Sequence, residues 1–286
     1  MSTIKNYLDL GKYKESLLLV FGGVAGGALV IHPFNYIYFY SIIFLFLVVM
    51  GTNSITNYID RDIDAIMERT KKRPLPSGKI KPPEKAIYFG TVLILIGTVG
   101  FLYFSLYYSI IWIIFGILFD PILYNYFTKR KTPWNIIIGS FAGGAPVMVI
   151  YSSVSGHFFD LLPFLLMLTI ILWTPMHIWS LAIRYKNDYE KANVPMLPVV
   201  KGNRFTIKII TISSIILIFI SSILSYFVSF ISFIFILLLD IFMIYMIIKL
   251  IKEPKDKNSY LVFKISSPYL AMLFLIILLH AIFSFP

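Results

Sequence analysis

The chain has 286 residues, of which 58% are hydrophobic and only 14% are charged, and its formal net charge is +11. This composition excludes a soluble globular domain and is typical of a membrane protein with several spans. Cysteine is absent, which excludes disulfides, zinc–thiolate sites, iron–sulfur clusters and a thiol nucleophile. The chain starts with a polar segment and its first apolar run lacks a small-residue cleavage pattern, so we expect neither a cleavable signal nor a transit peptide.

Apolar runs long enough to cross a hydrocarbon core of ~30 Å recur along the whole chain. We therefore predict an all-α, polytopic membrane protein with about nine transmembrane helices, forming a single membrane-embedded domain over residues 1–286. The seventh and eighth spans are only weakly separated, so a count of eight stays open. The predicted spans are Leu17–Ile31, Tyr36–Asn57, Ala86–Phe104, Tyr107–Tyr124, Trp134–Tyr151, Leu161–Leu181, Phe205–Tyr226, Ser229–Leu250 and Val262–Phe283.

The connections between these spans alternate between strongly basic segments and segments without Lys or Arg. All 25 Lys and Arg residues fall in the N-terminal segment and in four segments around the connections after the second, fourth, sixth and eighth spans: Arg61–Lys85, Lys129–Lys131, Arg184–Lys208 and Lys249–Lys264. By the positive-inside rule, the N-terminus and these basic connections are cytoplasmic. We expect a multi-pass protein of the cytoplasmic membrane of a prokaryote. Attraction to anionic lipid at the membrane surface accounts for this basic charge, so no nucleic acid partner is needed to explain it.

The densest charge in the chain follows the second predicted span. Asp60, Asp62 and Asp64 fall within five positions, and if the helix continues, Asp60 and Asp64 share one face with Thr56 while Asp62 points roughly the other way. These carboxylates repel one another, and they also lie at the negative end of a helix dipole. A divalent cation would offset both unfavourable interactions. Carboxylates together with substrate phosphates commonly hold Mg²⁺. The alternative is a simple interfacial helix end, although such ends usually carry Lys or Arg.

Basic residues and a second acidic loop lie on the same predicted side. Arg69 and Arg73 suit a diphosphate because guanidinium groups pair well with phosphate oxygens. The motif loops 56–85 and 182–204 are both cytoplasmic by charge, and the second contains Asp188. Without the first acidic cluster, we would interpret Asp188 as a solvated loop residue. Facing the first cluster, it is what a bridged metal–diphosphate complex requires.

Three segments resemble those of a known family. They are NYIDRDIDAIMERTKKRPLPSGKI (Asn57–Ile80), KRKTPWNIIIGSFAGGAPVMVI (Lys129–Ile150) and LWTPMHIWSLAIRYKNDYEKANVPMLPVVKG (Leu172–Gly202). Over essentially its whole length the chain resembles the UbiA-type intramembrane prenyltransferases, and within them the branch that prenylates heme b (protoheme IX). The resemblance implies a nine-helix bundle around a central cavity, with the two motif loops over its polar end.

The resemblance also implies an activity and a set of site residues. The activity is Mg²⁺-dependent transfer of a farnesyl or longer prenyl group from its diphosphate to a vinyl group of heme b, giving heme O. The implied catalytic acids, which also hold the metal, are Asp60, Asp64 and Asp188. The implied diphosphate-binding residues are Arg69, Arg73, Lys129, Asn57, Thr56 and Asn53, and His177 is a candidate for contacting the heme.

The chain departs from the family pattern at three places. Thr56 stands where the first motif usually opens with Asn, and Ala192 stands where the broader family's second motif has a further Asp. The basic residue and Pro that often enter the first helix appear here as Lys14 followed by Glu15. These departures leave the number of metal ligands open.

Two other functions compete with heme prenylation. The same machinery could prenylate a quinone precursor or another lipid-soluble acceptor, and an acidic cation site could belong to a cation-coupled transporter. Against the transporter, the acids lie at the membrane edge beside basic residues, and no inverted repeat is apparent. A heme A synthase or a terminal oxidase assembly factor as partner stays open. So does the role of Asp120, which either faces the cavity or caps a kink at Pro121.

Overall fold

The structure, a computed structural model, describes residues 3–30 and 34–284. All regular elements in these residues are helical, which confirms the predicted all-α class. The helices are α1 (Thr3–Leu10), α2 (Tyr13–Gly27), α3 (Tyr36–Ile59), α4 (Arg61–Ile66), α5 (Lys85–Tyr103), α6 (Tyr107–Ile117) with its π-helical continuation Leu118–Thr128, α7 (Asn135–Ser155), α8 (Leu161–Arg184), α9 (Lys186–Lys191), α10 (Leu197–Val228), α11 (Phe230–Lys252) and α12 (Asp256–Ser284).

Eight helices of the described chain are long and apolar enough to cross a membrane: α3, α5, α6 with its continuation, α7, α8, α10, α11 and α12. The first predicted span is the exception, because α2 has only 15 residues and Ile31 lies outside the described residues. A total of nine spans therefore stays a prediction. The seventh and eighth predicted spans are separate helices, α10 and α11, and the Ser229 side chain caps α11 by accepting a hydrogen bond from the Ser232 backbone N–H at 3.0 Å.

Helices α7 and α8 form the centre of the bundle, and most of their side chains are buried. Helix α7 packs against α2, α6 and α8, while α8 also packs against α10 and α12. On the flank, α3 and α5 approach each other closely at Gly51 and Gly90. A Cβ atom on Gly51 would lie 2.5 Å from the Gly90 carbonyl oxygen, so only glycine permits this contact.

A cavity of about 270 Å³ lies between α2, α3, α6, α7 and α8, as the resemblance implies. Its wall is largely aliphatic and aromatic, and its polar side chains include Asn53 and Thr52 from α3 and Asp120 and Tyr124 from the π-helical segment. The other lining residues are Leu19, Leu45, Val48, Val49, Trp112, Ile113, Gly116, Ile117, Ile136, Gly139, Ala142, Gly143, Ala145, Pro146, Val149, Trp173, Thr174 and Ile178.

Candidate functional site

The chain bends at Asp60 without losing its helical register. Helix α3 ends at Ile59, Asp60 has φ −90° and ψ 0°, and α4 begins at the next residue. The backbone bonds from Asp60 N–H to the Thr56 carbonyl (3.0 Å) and from Asp64 N–H to the Asp60 carbonyl (2.9 Å) continue across the bend. Asp60 and Asp64 are 3% and 4% exposed, whereas the Asp62 side chain is 59% exposed. The facial arrangement predicted from the spacing is confirmed.

The Asp60 carboxylate is held by two residues from the π-helical segment and the loop that follows it. Its Oδ2 forms an ion pair with Lys129 Nζ and accepts a hydrogen bond from Asn125 Nδ2 at 3.0 Å. Burial by itself would lower the pKa of Lys129, but the charge of Asp60 and its hydrogen bond, together with Tyr124 and Asp64, raise it. Lys129 is therefore a fully charged group at the edge of the cavity.

Asp64 and Asp188 are linked to the loop that follows α4. Arg73 Nη1 lies 2.7 Å from Asp64 Oδ2. The backbone N–H of Arg69 donates to Asp188 Oδ2 at 3.1 Å, and its guanidinium lies 3.3 Å from the Tyr189 hydroxyl. The two motif loops thus meet at one end of the bundle, which brings Asp60 and Asp188 to the same end.

The π-helical segment brings residues to the site that α-helical spacing would separate. Asp120 and Lys129 are nine residues apart, which is two and a half turns of an α-helix and would put them on opposite faces. The wider turn, with an i+5 bond from Lys129 N–H to the Tyr124 carbonyl at 2.8 Å, places Asp120, Tyr124, Asn125 and Lys129 on the same side. Asn125 was not among the predicted site residues, because α-helical periodicity would place it on a different face from Asp120.

The N-terminal segment contributes a lysine different from the predicted one. Lys14 is exposed, whereas Lys12, in a left-handed conformation (φ 48°), places its Nζ 3.4 Å from Thr56 Oγ1. Burial lowers the pKa of Lys12, and the nearby charge of Arg73 lowers it further. Lys14, matched by resemblance to the basic residue entering the first helix, lies in the first turn of α2, whereas the turn between α1 and α2 directs Lys12 inward.

Asn53 and Asn57 donate to this same N-terminal segment. Asn53 Nδ2 lies 3.0 Å from Ser16 Oγ, and Asn57 Nδ2 lies 2.6 Å from the Leu10 carbonyl oxygen. Both amides therefore hold α1 and α2 against α3 in this structure. Their assignment to diphosphate binding stays a prediction.

The donor set at this end of the bundle fits Mg²⁺. Asp60 Oδ1 and Asn125 Oδ1 are buried oxygens without a hydrogen-bond partner among the described residues, and hard cations prefer such oxygen ligands. Within the described chain, no group of three or more Asp, Glu, His or Cys side chains is placed to hold one ion. A shared site of Asp60, Asp64 and Asp188 consequently stays a prediction.

His177 lies in the packing between α8 and α12 and is not part of the cavity wall. Its ring stacks on Trp173 with centroids 4.3 Å apart and contacts Phe263 at 4.4 Å. Its Nδ1 lies 2.7 Å from Ser266 Oγ, while the Ser266 hydroxyl donates to the Phe263 carbonyl at 2.8 Å. Because the only hydroxyl proton of Ser266 is used, Nδ1–H is the donor and the lone pair of the neutral imidazole is on Nε2.

Comparisons with known proteins agree with this geometry. Residues 16–281 match the UbiA prenyltransferase family. The chain is 39% identical over 285 residues to the protoheme IX farnesyltransferase of Thermoplasma volcanium, with 98% of each chain covered. It is 34% identical over 287 residues to the protoheme IX farnesyltransferase of Desulforudis audaxviator, with 96% of this chain and 87% of the relative covered.

Solved structures share the fold. A digeranylgeranylglyceryl phosphate synthase superposes with a TM-score of 0.73 at 24% identity, over 99% of both chains. A UbiA homolog from Archaeoglobus fulgidus bound to DMAPP and Mg²⁺ gives 0.72 at 14% identity, over 96% of this chain and 99% of that one. From the extent of the family match, the identity with full-length relatives and the shared fold, we conclude that the chain belongs to the UbiA prenyltransferase family.

Proposed function

We propose that this membrane enzyme transfers a farnesyl group from farnesyl diphosphate to a vinyl group of heme b, giving heme O. One observation carries the proposal: the acids and bases of both motif loops converge over an apolar cavity, in a chain 39% identical to a protoheme IX farnesyltransferase over 98% of its length. The acceptor follows from the relatives, while the prenyl transfer follows from the family and the site.

The ion pairs of the site define how a diphosphate would be held. Arg73 and Lys129 neutralise Asp64 and Asp60 here, and both cations can turn to phosphate oxygens once the carboxylates hold a metal. Mg²⁺, held by Asp60 and Asp64 with Asp188 across the site, would neutralise charge on the departing diphosphate. Lys129 and Arg73 stabilise the same developing charge, which lowers the barrier to C–O cleavage.

The cavity below this polar end protects the allylic cation. Its wall is formed mainly by aliphatic and aromatic side chains, which bind a prenyl chain and exclude bulk water. A cation that formed in open solvent would be captured by water before reaching the acceptor. The cavity therefore binds the prenyl tail and extends the lifetime of the allylic cation.

His177 is our candidate for contacting the heme. The Ser266 hydrogen bond orients its ring, and the Nε2 lone pair of the neutral form is suited to a heme iron or to an N–H donor. Trp173 and Phe263 pack against the ring and fix its plane, which leaves its Nε2 edge for the heme.

We also propose that the polar end of the bundle faces the cytoplasm of a prokaryotic cell. The basic residues of the motif loops gather at this end, and positive charge marks the cytoplasmic side of membrane proteins. Both substrates have large apolar parts, so they can reach the cavity from the bilayer.

The test is to incubate the purified protein with heme b and Mg²⁺, offer farnesyl or geranylgeranyl diphosphate, and identify heme products by mass. We expect a heme carrying the prenyl group and a hydroxyl, with turnover lost in Asp60→Asn and Asp64→Asn. Asp62→Asn is the matched control and should retain most of its activity, because Asp62 points to solvent. Consumption of no allylic diphosphate under any divalent ion would refute prenyl transfer, and prenylation of a quinone precursor alone would refute the heme acceptor.

A further inference from the structure

Asp120 is a carboxylate that the proposed prenyl transfer does not use. It lies in the π-helical segment and lines the cavity, where it is the single acidic side chain of the described wall. It has no hydrogen bond or ion pair within residues 3–30 and 34–284. A carboxylate placed without a partner in a largely apolar wall costs stability, so a role in catalysis or binding is its natural explanation.

Asp120 lies between the polar end of the bundle and the apolar part of the cavity. The charged groups nearest to it are Lys12, Lys129 and Asp60, all at the polar end of the bundle. Tyr124, one turn further along, also lines the cavity, and its ring lies 5.3 Å from Lys129 Nζ. Asp120 therefore lies where the diphosphate site opens into the prenyl chamber, which is where the new carbon–carbon bond would form.

We propose that Asp120 is the general base for the water that completes the reaction, an inference that rests on the proposed function. In the first step the C1–O bond of farnesyl diphosphate breaks, and the electron pair leaves with the diphosphate. The vinyl π electrons of heme b form a bond to C1, which leaves a cation on the vinyl carbon next to the porphyrin ring.

The second step requires a base. A water oxygen adds to this cation, and the water proton passes to the Asp120 carboxylate, which leaves a neutral hydroxyl on the product. No oxidant or reductant is needed, since one water is consumed and one proton is released.

The alternative fate of the cation makes the proposal testable. If no base directs a water, the cation loses a proton from the neighbouring CH₂ group and becomes an alkene. That product contains the farnesyl group but is lighter than the alcohol by one water. The ratio of alcohol to alkene therefore reports the hydration step separately from prenyl transfer.

The experiment compares the wild type with Asp120→Asn, Asp120→Glu and, as matched control, Asp240→Asn, in oxygen-labelled water with heme b, farnesyl diphosphate and Mg²⁺. Asp240 is another buried carboxylate, bonded to Tyr269 and remote from the cavity wall. We expect labelled alcohol from the wild type and from Asp240→Asn. We expect the alcohol to fall by about a hundredfold in Asp120→Asn, with alkene in its place, and partial recovery in Asp120→Glu.

The outcomes separate the two proposals. A wild type that forms no farnesylated heme refutes the proposed function. A wild type that forms the alcohol, with an equal fraction of alcohol in Asp120→Asn, refutes only the role of Asp120. Equal loss of alcohol and of diphosphate release in Asp120→Asn, without alkene, also refutes it, because a defect in folding or substrate binding lowers both together.

Discussion

The ion pair between Asp60 and Lys129 should have a far larger coupling energy than the similar pair between Asp62 and Arg130. The two pairs join neighbouring residues of the same two segments, so they differ mainly in burial. Side-chain exposure is 4% and 15% in the first pair, against 59% and 39% in the second. A double-mutant cycle on each pair isolates its coupling energy. One cycle uses Asp60→Ala and Lys129→Met, the other uses Asp62→Ala and Arg130→Met, each substitution made alone and in combination.

The expected magnitudes follow from this burial. Removing one partner of a buried pair leaves an uncompensated charge and costs about 3–5 kcal/mol. Removing both restores neutrality, so the double variant of Asp60 and Lys129 should lose much less than the sum of the single ones. An exposed pair contributes only about 0–1 kcal/mol, even with the two 2.6 Å contacts from Arg130 to Asp62.

Thermal unfolding in detergent, with a chelator present and followed by tryptophan fluorescence, measures both cycles. For the single substitutions at Asp60 and Lys129 we expect a fall in Tm on the order of 10 °C. The single substitutions at Asp62 and Arg130 should shift Tm by about 4 °C at most. Equal coupling energies in the two cycles would show that burial does not govern these pairs, and our account of the polar end would be wrong.

Further predictions concern charge, packing and the acceptor. Lys12→Met should stabilise the protein at neutral pH and weaken diphosphate binding. Burial lowers the pKa of Lys12, so its charge opposes folding at neutral pH, and this penalty disappears as the pH rises towards 10.5. Unfolding free energies of the wild type and the variant, measured against pH, would show this. The hydrogen bond from Arg130 lowers the pKa of Asp62 below 3.8, so Asp62→Asn should lose a small stability contribution at pH 7 and none in stronger acid. Gly51→Leu should abolish the contact with α5 and reduce the folded yield in membranes. His177→Ala should raise the KM for heme b. Release of diphosphate from the prenyl donor should be unchanged, which a coupled diphosphate assay would measure.

The sequence was sufficient for features that depend on local periodicity and charge. The alternation of apolar runs predicted the spans, and the spacing of Asp60, Asp62 and Asp64 predicted which carboxylate points outward. Both succeed because a helix fixes the direction of side chains three and four residues apart. The bend at Asp60 did not disturb this, since its backbone bonds continue in the same register.

Features that depend on departures from regular helix could not be predicted in the same way. The inward direction of Lys12 depends on a left-handed residue between α1 and α2, and nothing in the local pattern distinguishes it from Lys14. The contact of Asn125 with Asp60 depends on the π-helical turn and joins residues 65 positions apart. Pro121, inside an apolar span directly after a carboxylate, is the one local signal for irregularity there.

The π-helical segment makes membrane insertion and catalysis separable in this protein. Deleting one residue between Asp120 and Lys129 would leave an apolar stretch long enough to span the bilayer, so topology and yield should survive. The same deletion would rotate the residues beyond it about the helix axis and carry Lys129 away from Asp60. A variant that inserts and accumulates normally would thus be catalytically silent, with a lower Tm because the buried ion pair is lost. Among homologous sequences, a one-residue gap at this point would mark a rebuilt reaction centre more reliably than many substitutions elsewhere.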